Sequence, residues 1–168
     1  MSDNSDALFS DKLLARFSLP HYRSTWREEG RSLVFTNGCF DLLHRGHVEY
    51  LAQARALGDI LLVGVNSDDS VRTLKGADRP LFPEADRCVL LCALECVSHV
   101  TVFHETSVES LISEVVPDVL VKGGDYRREE VVGRQIVEAT GGQVVMTPLF
   151  DSPSTTQLLD RLGPTSSP

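Results

Sequence analysis

The chain has 168 residues, 42% of them hydrophobic and 24% charged, and a formal net charge of −8. Such a length supports one domain with a real core and is too short for two of ordinary size, and the composition is that of a globular protein. The acidic balance excludes non-specific nucleic-acid binding as an expectation, so an anionic substrate must be held by a local cluster of basic groups. No apolar run has the length of a membrane span, and the start Met1-Ser2-Asp3-Asn4-Ser5-Asp6 is not a signal peptide. A cytoplasmic location with no membrane partner is expected.

Apolar runs and amphipathic segments alternate along the chain. Residues 1–30 read as an N-terminal extension, partly helical, with short helical stretches at 11–17 and 24–29. Strands are predicted at 33–37, 60–65, 99–103, 119–121 and 144–146. The run at 60–65 is apolar throughout, as a strand buried on both faces requires. Helices are predicted at 46–57, 84–97, 108–115 and 129–140, with a last one at about 155–162. Pro83 opens the second of these, Pro117 follows the third and Gly141-Gly142 stops the fourth. The tail 163–168 reads as disordered, which leaves 31–162 as a single domain. Alternation of this kind implies an α/β fold with a parallel sheet and helices on both faces, where ligands bind at the carboxyl ends of the strands.

The richest of those strand ends is Thr36-Asn37-Gly38-Cys39-Phe40-Asp41-Leu42-Leu43-His44-Arg45-Gly46-His47. A strand, a glycine-bearing turn and two histidines at a helix start make a phosphate-binding device. Gly38 and Gly46 admit close approach, and a helix N-terminus offers unpaired N–H groups and the positive end of its dipole. His44 and His47, three residues apart, can point at one phosphate. Metal binding is the poorer reading: with Asp41 as the only further candidate nearby, the turn lacks a full ligand set. A purely structural turn would not require both histidines.

The other strand ends are polar as well. Asn66-Ser67-Asp68-Asp69 follows the second strand and leads to Lys75 and Arg79, while Lys122-Gly123-Gly124-Asp125-Tyr126 follows the fourth. Ser154, Thr155 and Thr156 stand at the start of the last helix, where hydroxyls could cradle phosphate oxygens or simply cap it. Arg87 lies in the first turn of a helix, where the dipole opposes a cation, so an anionic partner is expected for it. Cys88, Cys92 and Cys96 recur every four residues and read as a small-residue core stripe, since one helix face permits no disulfide and no convergent metal site.

Gly38-x-Phe40-Asp41-x-x-His44-x-Gly46-His47 resembles the signature of the nucleotidyltransferase superfamily that includes glycerol-3-phosphate cytidylyltransferases and phosphopantetheine adenylyltransferases. With Val65-Asn66-Ser67-Asp68, Leu74-Lys75-Gly76, Lys122 to Tyr126 and Ser154-Thr155-Thr156, the chain over about 31–162 is similar to the bacterial D-glycero-β-D-manno-heptose 1-phosphate adenylyltransferases. That resemblance implies a Rossmann-like, doubly wound parallel sheet of about five strands. It implies transfer of AMP from ATP to a sugar 1-phosphate, with Mg2+ accompanying the ATP and a homodimer as the assembly.

By the same resemblance His44, His47, Lys75 and Arg87 are catalytic groups acting on phosphates. Thr36, Asn37, Gly38, Cys39, Phe40, Gly46, Gly123, Asp125, Tyr126, Ser154, Thr155 and Thr156 bind the nucleotide. Asn66, Asp68, Arg79 and Lys122 bind the acceptor substrate. The loop 150–153 departs from the pattern in lacking a glycine. A cytidylyltransferase acting on a small alcohol phosphate, such as glycerol 3-phosphate, and a silent nucleotide-binding regulatory module are the alternatives.

Overall fold

The computed structural model describes residues 11–124 and 127–148. Five strands, β1 (Leu33–Gly38), β2 (Ile60–Asn66), β3 (His99–Phe103), β4 (Val119–Gly123) and β5 (Gln143–Thr147), form one sheet in the order β3-β2-β1-β4-β5. Every pairing is parallel. The helices are α1 (Leu19–Glu28), α2 (Arg45–Arg55), α3 (Asp68–Lys75), α4 (Glu84–Cys92), α5 (Glu109–Val115) and α6 (Arg134–Ala139). The chain first builds outward from β1 through β2 to β3, then returns to the other side of β1 for β4 and β5. The junction of β1 and β4 is therefore the switch point, where neighbouring connections leave in opposite directions and open a crevice.

Side-chain alternation along the strands gives each sheet face its own core. Leu33, Phe35, Ile60, Leu62, Leu120 and Val144 pack with Leu14, Leu19, Trp26, Leu111, Ile112 and Val137 on one face. Val34, Leu61, Val63, Val65 and Val121 pack with Phe40, Leu51, Ala54, Cys88, Leu91 and Cys92 on the other. All seven residues of β2 are buried, the state expected of a central parallel strand, and each large apolar side chain so buried contributes about 1.5–3 kcal/mol.

Several helix boundaries differ from the predicted ones. Residues 11–15 are not helical: Leu13 bridges Val100 of β3, Leu14 N–H donates to the Val100 carbonyl at 2.8 Å, and Val100 N–H donates to the Lys12 carbonyl at 2.8 Å. The helical part of this region begins with a 3-10 turn at Arg16–Ser18 and continues as α1, earlier than the predicted 24–29. Asp68–Lys75 is a helix where a polar loop was expected, its N-terminus capped by Ser67, whose Oγ accepts from Ser70 N–H at 3.3 Å. The predicted helix 84–97 ends at Cys92, so Cys88 and Cys92 are buried in the core while Cys96 lies in the turn beyond, half-buried. The predicted helix 129–140 is broken into a 3-10 turn, Arg128–Glu130, and α6. Gly133 makes the break, with φ +83° and so little room that a Cβ there would lie 2.4 Å from Ile112.

Candidate active site

β1 ends in the signature turn, and Asn37 to His47 lie at the carboxyl end of the sheet. Phe40 adopts φ +46°, a left-handed conformation uncommon for a bulky residue and stored here by burial of its ring against the α2 side of the sheet. The Phe40 ring stands 5.5 Å from that of His47. His44 caps α2: its Nδ1 accepts from Gly46 N–H at 3.1 Å. With Nδ1 an acceptor, the proton of the neutral ring belongs to Nε2, which is thereby a donor. The two imidazoles lie with centroids 4.0 Å apart.

Both rings are held neutral at pH 7. Burial lowers His44, and burial, then His44 and then Lys75, push His47 down to about 4, with the Leu42 carbonyl pulling weakly the other way. Lys75, the exposed last residue of α3, is therefore close enough to contribute its charge to the histidine pair. His47 Nδ1 is buried with no hydrogen-bond partner in good geometry among the described residues.

The turn is fastened by two charged groups. Asp41, whose side chain is 1% exposed, accepts from Arg79 Nε at 2.6 Å, from Leu81 N–H at 2.6 Å and from Phe82 N–H at 3.1 Å. Arg87 is fully buried, and donates to the Phe82 carbonyl at 3.0 Å, the Cys39 carbonyl at 2.5 Å and Asp68 at 2.8 Å. The anionic partner expected for Arg87 is thus Asp68, and its guanidinium ties the signature turn, α3 and α4 together. Arg79 is likewise committed to Asp41, while its Nη2 is buried and unpartnered among the described residues.

Thr36 is buried, and its hydroxyl meets Tyr50 Oη at 2.6 Å. Tyr50 Oη donates to the Val121 carbonyl at 3.1 Å, so Thr36 is the donor between the two hydroxyls. Burial pushes the Tyr50 phenol up to about 12, and its ring covers Gly123, where a Cβ would lie 3.0 Å from it. Asn66 is buried and donates to Ser70 Oγ at 2.9 Å, which in turn donates to the Glu105 carbonyl at 2.9 Å. Lys122 donates to Asn37 Oδ1, and burial lowers its ammonium to about 8.

The structure therefore brings His44, His47, Lys75, Asn37, Gly38, Cys39, Phe40, Gly46, Lys122 and Gly123 to the ends of β1 and β4 and the loops beside them. Thr36, Asn66, Asp68 and Arg87 stand behind them with their polar groups engaged internally. Asp125, Tyr126, Ser154, Thr155 and Thr156 lie outside the described residues. Asp41 and Tyr50 are the residues that sequence reasoning left out. Asp41 had a signal, since a carboxylate inside a phosphate-binding turn cannot serve the phosphate and must serve the turn.

Comparison with known proteins gives the family and the fold. The chain is 49% identical to a protein named Bifunctional protein HldE from Syntrophotalea carbinolica over 92% of its length, and 54% identical to one of the same name from Geotalea uraniireducens over 81%. It spans only 31% and 28% of those relatives, respectively, which are much longer proteins. Among solved structures, a lipopolysaccharide core biosynthesis protein from Thermoplasma volcanium superposes with a TM-score of 0.61 at 29% identity, covering 73% of this chain and 99% of that one. Pantoate-beta-alanine ligase from Francisella tularensis shares the fold, with a TM-score of 0.61 at 11% identity over 84% of this chain and 68% of its own. Residues 35–155, from within β1 through the histidine turn and into the hydroxyl run, match the Cytidylyltransferase-like family, and the chain belongs to it.

Proposed function

We propose that the chain is an adenylyltransferase that moves AMP from ATP to a sugar 1-phosphate, D-glycero-β-D-manno-heptose 1-phosphate, giving ADP-heptose and pyrophosphate. One observation carries the reaction class: two neutral imidazoles 4.0 Å apart at the head of α2, beside the switch point. The heptose acceptor rests on the 49–54% identity to the proteins named HldE. A phosphate oxygen of the sugar attacks the α-phosphorus of ATP, a new P–O bond forms, and the bond to the bridging oxygen breaks as pyrophosphate leaves. The nucleophile is anionic at neutral pH, so no general base is required. The work of the site is to align two polyanions and neutralise growing charge, which is positioning plus electrostatic stabilisation.

In that reading His44 donates from Nε2, His47 sits beside it, and Lys75 meets the phosphates from α3. Magnesium would come with the triphosphate. Among the described residues no group of three or more His, Cys, Asp or Glu side chains could hold a metal ion, and no step here is routed through one. A homodimer and a place in the cytoplasm belong to the same proposal. No described helix is long and apolar enough to cross a membrane.

Pyrophosphate release with ATP or CTP, across a panel of sugar 1-phosphates and glycerol 3-phosphate, tests the proposal. Turnover is expected with ATP and the heptose 1-phosphate. Preference for CTP and glycerol 3-phosphate would replace the substrate assignment, and nucleotide binding without turnover would replace the enzyme by a regulatory module.

A further inference from the structure

β1 and β4 are neighbours that part early. β1 keeps register with β2 as far as Gly38, and β4 with β5 as far as Gly123. Yet the two pair with each other only at Val34 with Val119 and at Phe35 with Leu120. Continued register would set Thr36 opposite Val121. These two residues are joined instead through a side chain of α2: the Thr36 hydroxyl donates to Tyr50 Oη at 2.6 Å, and Tyr50 Oη donates to the Val121 carbonyl at 3.1 Å. One phenol thus spans the strands at the level where the crevice opens. Its ring continues over Gly123, where a Cβ would lie 3.0 Å from Cε2 and 3.2 Å from Cδ2. Gly123 has no left-handed φ, so the glycine serves the close approach of the ring.

Tyr50 stands three residues after His47, on the same side of α2. That helix otherwise meets the sheet through Leu51 and Ala54, buried apolar side chains whose attraction to the core has no direction. Hydrogen bonds do have one, and the two made by Oη fix how α2 is turned and how far along the strands it stands. Burial holds the phenol protonated up to about pH 12, so at neutral pH it neither takes nor gives a proton. A phenylalanine would fill the same space without the tie.

We propose that Tyr50 is a positioning residue, whose hydroxyl ties β1 to β4 where they part and seats the histidine helix over the crevice. This deepens the adenylyltransferase reading and rests on it for any effect on turnover. Tyr50 acts through His44 and His47. A reaction carried by alignment and electrostatics is sensitive to their placement, and a displacement of about 1 Å can cost about 10²-fold in rate.

The test uses the full chain with Tyr50→Phe, Thr36→Val and the two combined. Tyr50→Phe is expected to lower kcat about 10- to 100-fold, with the Kd of ATP unchanged within about threefold, because bound phosphates tolerate a displacement that the transition state does not. Thr36→Val cuts the same tie on the β1 side and should give a smaller loss in kcat. The double variant should be no worse than Tyr50→Phe, since both changes break one chain of bonds. Losses that multiply would mean two separate roles and overturn the inference.

A second readout needs no turnover. In the free protein the imidazole resonances of His44 and His47 should shift in Tyr50→Phe, while those of His21 in α1 and His99 in β3 stay in place. Lower stability with the His44 and His47 resonances unmoved, or with kcat per folded molecule unchanged, would make Tyr50 a core residue only and overturn the proposal. A wild type without turnover on any phosphate acceptor, whose histidine resonances nonetheless move in Tyr50→Phe, would overturn the transfer reaction and keep the positioning role.

Discussion

In the proposed reading His44 and His47 meet phosphate as neutral imidazoles. A ring kept neutral by burial contributes no charge to the empty site, so it resists neither desolvation nor the approach of its neighbour. When a triphosphate arrives, its charge favours protonation of both rings, and their pKa values should rise. Imidazole proton resonances should place His47 near 4 in the free protein and at higher pH with ATP bound; no movement with ATP would remove the pair from the nucleotide site. The sign for stability is fixed by the same value. Between the ordinary 6.5 and about 4 the unfolded chain binds a proton at this position that the folded chain refuses, so stability present above 6.5 is lost as the pH falls toward 4. Replacing either histidine by alanine should lower kcat by about 10²–10³-fold or more, the usual loss for a preorganised donor to developing charge. Near-normal turnover in either variant would refute their role.

At the scale of elements, the loops over the sheet's carboxyl end are held by buried charge rather than by apolar packing. Arg87 joins the Cys39 carbonyl, the Phe82 carbonyl and Asp68, so one side chain spans three connections. Arg87→Met should destabilise the protein by about 3 kcal/mol, since it leaves Asp68 and two carbonyls without their donor. If Arg87 were chiefly a ligand of substrate phosphate, stability to urea would be unchanged and only KM would move. The sequence pattern made β1 to β5 legible because parallel strands buried on both faces read as apolar runs. It also delimited the histidine turn, whose residue types are dictated by chemistry within twelve consecutive positions. What it could not supply was pairing across distance: Arg87 called for an anion, but nothing local named Asp68, nineteen residues away. Helix α3 was missed because its eight residues bury only Ser70 and Val71, too few to set a period. The break at Gly133 was missed because its cause, Ile112, belongs to another helix.

On the scale of the whole molecule, one border of the sheet is covered by the start of the described chain. β3 is an outer strand, yet residues 12–14 lie along it, and Arg16 anchors the same segment to Glu105 at 2.7 Å and Glu114 at 2.6 Å. Lys12 adds bonds to the Leu94 and Val97 carbonyls at 3.1 and 2.9 Å. Peeling this strap away would uncover the backbone N–H and carbonyl of Val100 on an apolar strand, a template on which any other extended chain can hydrogen-bond. The strap therefore guards this edge against self-association as well as lending Leu14 to the core. In sedimentation the full chain is expected to form one discrete, closed dimer. A variant beginning at Ser18 should retain its helical circular dichroism but give polydisperse, growing species that bind amyloid dyes, and adding back a peptide of residues 8–17 should suppress them. A truncated protein that sediments as sharply as the full chain would mean that β3 needs no guard.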